Sequence, residues 1–204
     1  MNSSEPVRHF SMIRDFHLAD LFTIANGFCG VAAVFQAVQY ASTHVPRHIY
    51  LAALLIPVAM VLDFFDGRVA RWRHQFSPMG REMDSLADVV SFGVAPATIA
   101  FAAGLSSALD QLILMFFAGC GLSRLARYNV TAEKLAGPSG KVNYYEGTPI
   151  TFSMIPLGAL LLAFWHGSLY PVDIMAGVEI HLPSILFAVS GSLMISKTIH
   201  VPKP

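Results

Sequence analysis

The chain has 204 residues, of which 54% are hydrophobic and 13% are charged, and its formal net charge is zero. Soluble domains carry about a quarter charged residues, so this composition argues against an ordinary soluble protein and favours a membrane protein. The zero net charge gives no support for nucleic-acid binding. Cys29 and Cys120 both lie in apolar runs, which predicts small buried side chains rather than a disulfide or a metal site.

Residues 1–18 are polar and mixed, with Phe10, Ile13 and Phe16 spaced among charged side chains. This pattern is typical of an amphipathic juxtamembrane segment, although a solvated tail fits it equally well. The segment does not resemble a cleaved signal peptide, because no long apolar core with a small-residue cleavage site follows its basic start.

Six apolar runs follow, each close to the ~20 residues that a helix needs to cross the hydrocarbon core. We therefore predict an all-α integral membrane bundle of six transmembrane helices over residues 19–197, with a cytoplasmic tail at 198–204. The predicted spans lie at about 19–40, 48–69, 83–104, 108–128, 148–169 and 180–197.

The basic residues predict the orientation of this bundle. If both termini, the bend between spans two and three, and the loop between spans four and five share one side, that side holds twelve of the thirteen Lys and Arg. Only Arg47 falls on the other side. We therefore expect a multi-pass protein of the cell inner (cytoplasmic) membrane, with both termini and the bend facing the cytoplasm.

The bend between the second and third runs reads DFFDGRVARWRHQFSPMGREMDSLAD. Asp63 and Asp66 are spaced i, i+3, and Asp84 and Asp88 are spaced i, i+4, so each pair occupies one helix face. If the two helices are antiparallel neighbours, four carboxylates converge, and a low-dielectric pocket requires protons or metal ions to neutralise them. Oxygen ligands favour Mg²⁺, Mn²⁺ or Ca²⁺ over zinc, and two divalent ions balance four carboxylates. A proton or ion relay, or structural ion pairs with nearby arginines, is the alternative interpretation.

The same stretch matches the pattern D-x2-D-G-x2-A-R-x8-G-x3-D-x3-D without departure. The fixed positions are Asp63, Asp66, Gly67, Ala70, Arg71, Gly80, Asp84 and Asp88. The chain thereby resembles the CDP-alcohol phosphotransferases, membrane enzymes that displace CMP from a CDP-linked alcohol by attack of a second alcohol. The flanking LFTIANGFCGVAAVF, MGREMDSLADVVSFGVAPA and GLSRLARYNV extend the resemblance, over about residues 21–197, to the type II bacterial phosphatidylserine synthases.

This resemblance implies a phospholipid-synthesising transferase with CDP-diacylglycerol and L-serine as its substrates. It also implies a site for two Mg²⁺ or Mn²⁺ ions at Asp63, Asp66, Asp84 and Asp88, with Asp88 as the base that deprotonates serine. Position alone leaves Asp84 open as the base. The family tends to form homodimers, and small residues along 94–104 allow close contact between helices.

Two further groups of polar residues are candidates for binding the substrates. For CDP-diacylglycerol they are Gly67, Ala70, Arg71, Ser77, Gly80 and Asn26, and for the serine carboxylate they are Arg124 and Arg127. Each polar candidate has a structural alternative: Ser77 as a helix N-cap before Pro78, Asn26 as an interhelical hydrogen-bond donor, and the two arginines as partners of lipid phosphates.

Other functions stay open on the sequence. The acceptor can instead be glycerol phosphate or inositol phosphate, although a phosphorylated acceptor favours a denser basic pocket. An ion-coupled transporter predicts acids scattered through the spans rather than bracketing one bend. A non-catalytic membrane scaffold needs no such arrangement of carboxylates.

Overall fold

The computed structural model describes residues 18–73, 78–135, 144–175, 178–196 and 200–202. The predicted juxtamembrane segment at 1–18 and the tail at 198–204 therefore lie largely outside the described residues. Within the described residues the chain is mostly helical, as the sequence predicts for a membrane bundle.

Four stretches of helix are long and apolar enough to cross a membrane. They belong to α1 (Leu18–Thr43), α2 (Arg47–Arg73), a composite helix formed by α3 (Pro78–Asp88), a π-helical segment (Val89–Val94) and α4 (Ala95–Ala103), and α5 (Ala108–Leu135). At the fifth and sixth predicted spans the helices are shorter. A 3-10 turn (Ile150–Ser153) leads into α6 (Met154–Trp165), and α7 (Leu182–Ile195) follows later. The described chain thus contains four candidate spans and two shorter apolar helices.

The π-helical segment interrupts the third span directly after Asp88. Pro96 lies at the start of α4. Proline lacks the N–H that would bond the carbonyl four residues earlier, and its ring crowds that carbonyl. The wider turn relieves this crowding, so the irregularity has a local cause in the sequence.

Two antiparallel strand pairs accompany the helices, and the all-α prediction did not include them. β1 (Tyr144–Glu146) pairs with β4 (His200–Pro202), and β2 (Pro171–Met175) pairs with β3 (Val178–His181). With three to five residues each, these strands are too short to give a recognisable alternation in a single sequence.

Small residues let the helices approach closely around the site. A Cβ atom at position 30 would lie 2.8 Å from the Cα of Ser91, so the absence of a side chain at Gly30 allows the close approach of α1 to the π-helical segment. Gly147 has a φ of +77° and lies against the last turn of α7. Beside it, the amide of Thr148 donates to the carbonyl of Leu193 at 3.2 Å.

A polar cluster lies at the end of the bundle opposite the junction of α2 and α3. Ser107 and Asp110 form a reciprocal cap at the start of α5, in which each backbone N–H donates to the other side chain at 3.2 Å. The fully buried carboxylate of Asp110 also accepts the amide of His181 at 3.1 Å and lies 2.6 Å from its Nδ1. The first turn of α5 is thereby fixed to the end of β3.

Candidate active site

Three of the four predicted metal ligands converge at the junction of α2 and α3. Asp63, Asp66 and Asp84 each place one carboxylate oxygen within 4.8 Å of the other two. Asp66 is buried and the other two are half-buried. Three carboxylates this close, in a largely apolar setting, need protons or metal ions to neutralise their charge.

The fourth predicted ligand, Asp88, is one helical turn beyond Asp84 and is not a member of this group of three. Asp88 is 8% exposed, and its Oδ1 accepts a hydrogen bond from Nδ2 of Asn26 at 3.1 Å. Asn26 is itself fully buried. This contact is the interhelical hydrogen bond that the sequence allowed, and it joins Asn26 to the predicted base.

The first helix supports the carboxylates at a second point. Oγ1 of Thr23 donates to Oδ2 of Asp66 at 2.9 Å in a buried contact. One turn along the same helix, the carbonyl of Asn26 accepts a hydrogen bond from Oγ of Ser91 at 2.9 Å. Thr23 was not among the predicted site residues, although its position three residues before Asn26 on one helix face was a usable signal.

Two buried oxygens at the site have no hydrogen-bond partner among the described residues, namely Oδ1 of Asp84 and Oδ1 of Asn26. Buried polar atoms are nearly always paired in proteins. Unsatisfied oxygens beside converging carboxylates form a donor set that suits a hard divalent cation such as Mg²⁺ or Mn²⁺. The arrangement therefore fits the metal ions that the sequence implies.

A second network, whose residues were also not predicted, connects α3 to α5. Nδ2 of the buried Asn129 donates to Oε2 of Glu82 at 3.1 Å and to Oγ of Ser85 at 3.0 Å. Ser85 precedes Asp88 by one turn, so this network helps to fix the rotation of the helix that carries two of the four aspartates. Each of the three residues looks like an ordinary polar position in the sequence.

The two candidate acceptor-binding arginines lie towards the end of α5 that contacts α3. Arg124 is half-buried. Arg127 donates from Nη1 to the carbonyl of Ile195 at 3.3 Å, which satisfies a carbonyl at the end of α7. Arg127 therefore has a contact with the protein backbone that does not involve a substrate.

The remaining candidates lie around the bend. Gly67, Ala70 and Arg71 belong to the last turns of α2, and Gly80 belongs to the first turn of α3. Ser77 lies outside the described residues. The backbone thus keeps Gly67 and Gly80 beside the aspartates, on the two helices that flank the bend.

Comparison with known proteins assigns the class to which this fold and site belong. The model of the CDP-alcohol phosphatidyltransferase family matches residues 16–190, and the chain belongs to that family. The family resemblance inferred from the motif is therefore confirmed.

Similar proteins carry a more specific name. The chain is 42% identical over 205 residues to the CDP-diacylglycerol–serine O-phosphatidyltransferase of Saccharomyces cerevisiae, covering 96% of this chain and 74% of the yeast protein. It is 35% identical over 148 residues to the Bacillus subtilis protein of the same name, covering 72% and 75% respectively. It is 38% identical over 141 residues to the Mycobacterium tuberculosis H37Rv protein of that name, covering 67% and 48%.

Proposed function

We propose that this protein transfers the phosphatidyl group of CDP-diacylglycerol to the hydroxyl of L-serine, giving phosphatidylserine and CMP. The observation that carries this proposal is the convergence of Asp63, Asp66 and Asp84 in a chain whose relatives share the name of that activity. The oxygen of serine attacks the phosphorus that bears diacylglycerol, and the bond from that phosphorus to the CMP oxygen breaks.

Asp88 is the proposed base for this attack. Serine's hydroxyl is a weak nucleophile and must lose its proton as the new P–O bond forms. Oδ1 of Asp88 accepts the hydrogen bond from Asn26, which orients the carboxylate and leaves Oδ2 for the proton. Because Asp88 is only 8% exposed, water has little access to its carboxylate and competes weakly with serine.

The carboxylates of Asp63, Asp66, Asp84 and Asp88 are the proposed ligands of two Mg²⁺ or Mn²⁺ ions. When bound, such ions stabilise the negative charge that develops on the phosphoryl oxygens and on the leaving group. Thr23 holds Asp66 through a 2.9 Å hydrogen bond, which restricts the carboxylate to one orientation.

Substrate binding is assigned to residues at the edges of this cluster. Gly67 and Gly80 leave room for the nucleotide, and Arg71 is the proposed partner of the diphosphate. Arg124 is the proposed partner of the serine carboxylate. The contact of Arg127 with the end of α7 makes it the weaker of the two candidates.

We further propose that α6 and α7 complete a six-span bundle with both termini and the aspartates on the cytoplasmic side. The distribution of basic residues supports this orientation. A homodimer is also proposed. An apolar groove of about 290 Å³ between α4 and α5 supports it, because small side chains such as Ala97 and Ala118 line the groove and leave room for a second copy.

The test is an assay of the purified protein with CDP-diacylglycerol, Mg²⁺ or Mn²⁺, and one labelled acceptor at a time. We expect labelled phosphatidylserine and stoichiometric CMP with serine, and no product when the metal is chelated. A preference for glycerol phosphate or inositol phosphate would refute the assignment of serine while leaving the transfer chemistry intact. CMP release in no condition would reject the enzymatic function itself.

A further inference from the structure

The hairpin formed by β2 and β3 joins α6 and α7, the two apolar helices that are shorter than the four candidate spans. The 3-10 turn and α6 together extend ~26 Å, and the fourteen residues of α7 extend ~21 Å. The hydrocarbon core is ~30 Å thick, so an untilted helix falls short by roughly 4–9 Å. The hairpin lies between the end of α6 and the start of α7, so its apolar side chains can add to the apolar length of both helices.

The location of the hairpin follows from its contacts. His181, at the end of β3, is bonded to Asp110 in the first turn of α5. The other end of α5 contacts α3 through Asn129. The hairpin therefore begins at the level where a candidate span enters the membrane, at the end of the bundle opposite the aspartate cluster.

The two faces of the hairpin differ in polarity. Val172 pairs with Ile180 across the strands, and Asp173 pairs with Glu179. Directly opposed residues share a face and successive residues alternate, so the first pair makes an apolar face and the second an acidic one. Val172 is 54% exposed. This exposure is unfavourable in water, because full burial of an apolar side chain contributes about 1.5–3 kcal/mol.

Aromatic residues mark the same level on the chain before the hairpin. Trp165 ends α6 and is 75% exposed, and Tyr170 directly precedes β2 and is 73% exposed. Trp and Tyr with such exposure are typical of the boundary between hydrocarbon and headgroups. Leu182, which directly follows β3, is 69% exposed and continues the apolar surface onto α7.

We propose that the β2–β3 hairpin inserts its apolar face, with Val172 and Ile180, into the lipid bilayer at the end of the bundle away from the aspartates. Asp173 and Glu179 then face water and headgroups. The hairpin supplies the apolar depth that α6 and α7 lack, and the cluster of Ser107, Asp110 and His181 anchors it at that depth. This assignment depends only on the protein spanning a membrane and is independent of its enzymatic activity.

Tryptophan fluorescence in nanodiscs tests the proposal on the full-length protein. Trp72 and Trp165 are replaced by Phe, and a single reporter is introduced as Val172→Trp or, on the acidic face, as Glu179→Trp. We expect lipids brominated near the headgroup end of the acyl chain to quench the first reporter at least about threefold more than the second, and acrylamide to show the reverse order, since interfacial segments bury ~5–10 Å.

Three outcomes would overturn the proposal. Equal quenching of both reporters by acrylamide places the hairpin in water, and quenching of Val172→Trp by neither reagent places it against another protein surface such as a second copy. The single variant Trp72→Phe keeps the hairpin unchanged and leaves Trp165 as the reporter. If Trp165 in that protein is quenched only by acrylamide, the interfacial level assigned here is wrong.

Discussion

At the scale of single residues, two of the four carboxylates at the site are each held by a hydrogen bond from a neighbour. Asp66 is held by Thr23 and Asp88 by Asn26, and both partners come from α1 rather than from the helices that carry the aspartates. Hydrogen bonds to ligand carboxylates fix their orientation before a cation or a substrate arrives. Because the aspartates and their hydrogen-bond donors lie on different helices, the roles of Asp88 and Thr23 can be tested separately.

Replacing the proposed base should stop the chemistry without unfolding the protein. We expect Asp88→Asn to lower kcat for phosphatidyl transfer by about 10²–10⁴-fold, because the amide cannot accept the proton of serine. The measurement is CMP release under saturating substrates, with thermal unfolding of the purified variant as the check on folding.

The matched control for that variant is Asp110→Asn. Asp110 is also a buried aspartate, but it caps α5 and binds His181 at the other end of the bundle. We expect it to lower the unfolding temperature while keeping kcat. Near-normal turnover in Asp88→Asn would remove Asp88 from the role of base.

Removing the hydroxyl that holds Asp66 should weaken metal binding. We expect Thr23→Val to raise the dissociation constant for Mn²⁺ by about 10–100-fold, because an outer hydrogen bond to a ligand commonly contributes that much. Electron paramagnetic resonance of free Mn²⁺ measures this directly, without an activity assay. Thr23→Ser keeps the hydroxyl and should bind as the unmodified protein does; equal affinity in all three proteins would show that Thr23 does not position a metal ligand.

At the scale of secondary structure, the contact between α1 and the third span decides where the aspartates lie. Ser91 lies in the π-helical segment, bonds to the carbonyl of Asn26, and faces Gly30 one turn further along α1. The segment that Pro96 induces thus allows close approach of the helices just beyond Asp88. Local irregularity and interhelical packing act at the same place.

The close approach at Gly30 should not tolerate even a methyl group. We expect Gly30→Ala to lower the free energy of unfolding by about 1–3 kcal/mol, as for other overpacked interiors, because the added Cβ would lie 2.6 Å from Oγ of Ser91 and also 2.8 Å and 3.0 Å from its backbone Cα and N. Thermal unfolding in detergent is the measurement.

Gly27→Ala provides the comparison on the same helix. A Cβ at position 27 would lie 3.6 Å from the Cβ of Ala87, which is ordinary van der Waals contact. This variant should be close to neutral. If both variants unfold at the same temperature, the packing of α1 on the π-helical segment is looser than described.

At the scale of the whole molecule, the aspartates and the Asp110–His181 cluster lie at opposite ends of the bundle. The composite third span and α5 run in opposite directions, which brings Asn129 to Ser85 at one end and leaves Asp110 at the other. Among the described helices, Arg68, Arg81, Arg124 and Arg127 lie towards the end with the aspartates, and Arg47 begins α2 at the opposite end. The orientation of the protein in the membrane and its oligomeric state therefore depend on the assembled bundle rather than on any single helix.

Reporter fusions test the proposed orientation. A reporter that is active only in the cytoplasm should be active when fused after Pro204 and inactive when inserted near Ser106, because the basic residues keep the first side inside. A reporter active only outside the membrane should give the opposite pair of results. Activity of the external reporter at Pro204 would invert the topology and move the aspartates away from the cytoplasm.

The dimer proposal can be tested by filling the groove between α4 and α5. We expect Ala118→Trp to shift the protein from dimer to monomer in mass measurements in detergent, since the bulky ring occupies the space that a second copy needs. Leu112→Trp is the control, because Leu112 is 59% exposed on α5 but does not line the groove. A monomeric starting protein, or a dimer unaffected by Ala118→Trp, would count against this interface.

Much of the molecule was readable from the sequence because its signals are local. Apolar runs long enough to span a bilayer, and four aspartates that bracket one bend, predicted a helical membrane protein with its site at Asp63–Asp88. The spacing of the motif identified the family, since helical geometry puts residues three or four apart on one face. The sequence also contains Pro96, the local cause of the π-helical segment.

The tertiary structure alone decided which groups meet. Thr23 with Asp66, Asn129 with Ser85, and Asp110 with His181 are separated by 43, 44 and 71 residues along the chain. No periodicity in one sequence specifies such pairs, because they depend on how antiparallel helices rotate about their axes when their small residues pack. The separation of Asp88 from the group of three aspartates has the same origin: the hydrogen bond from Asn26 on a third helix decides the direction of its carboxylate.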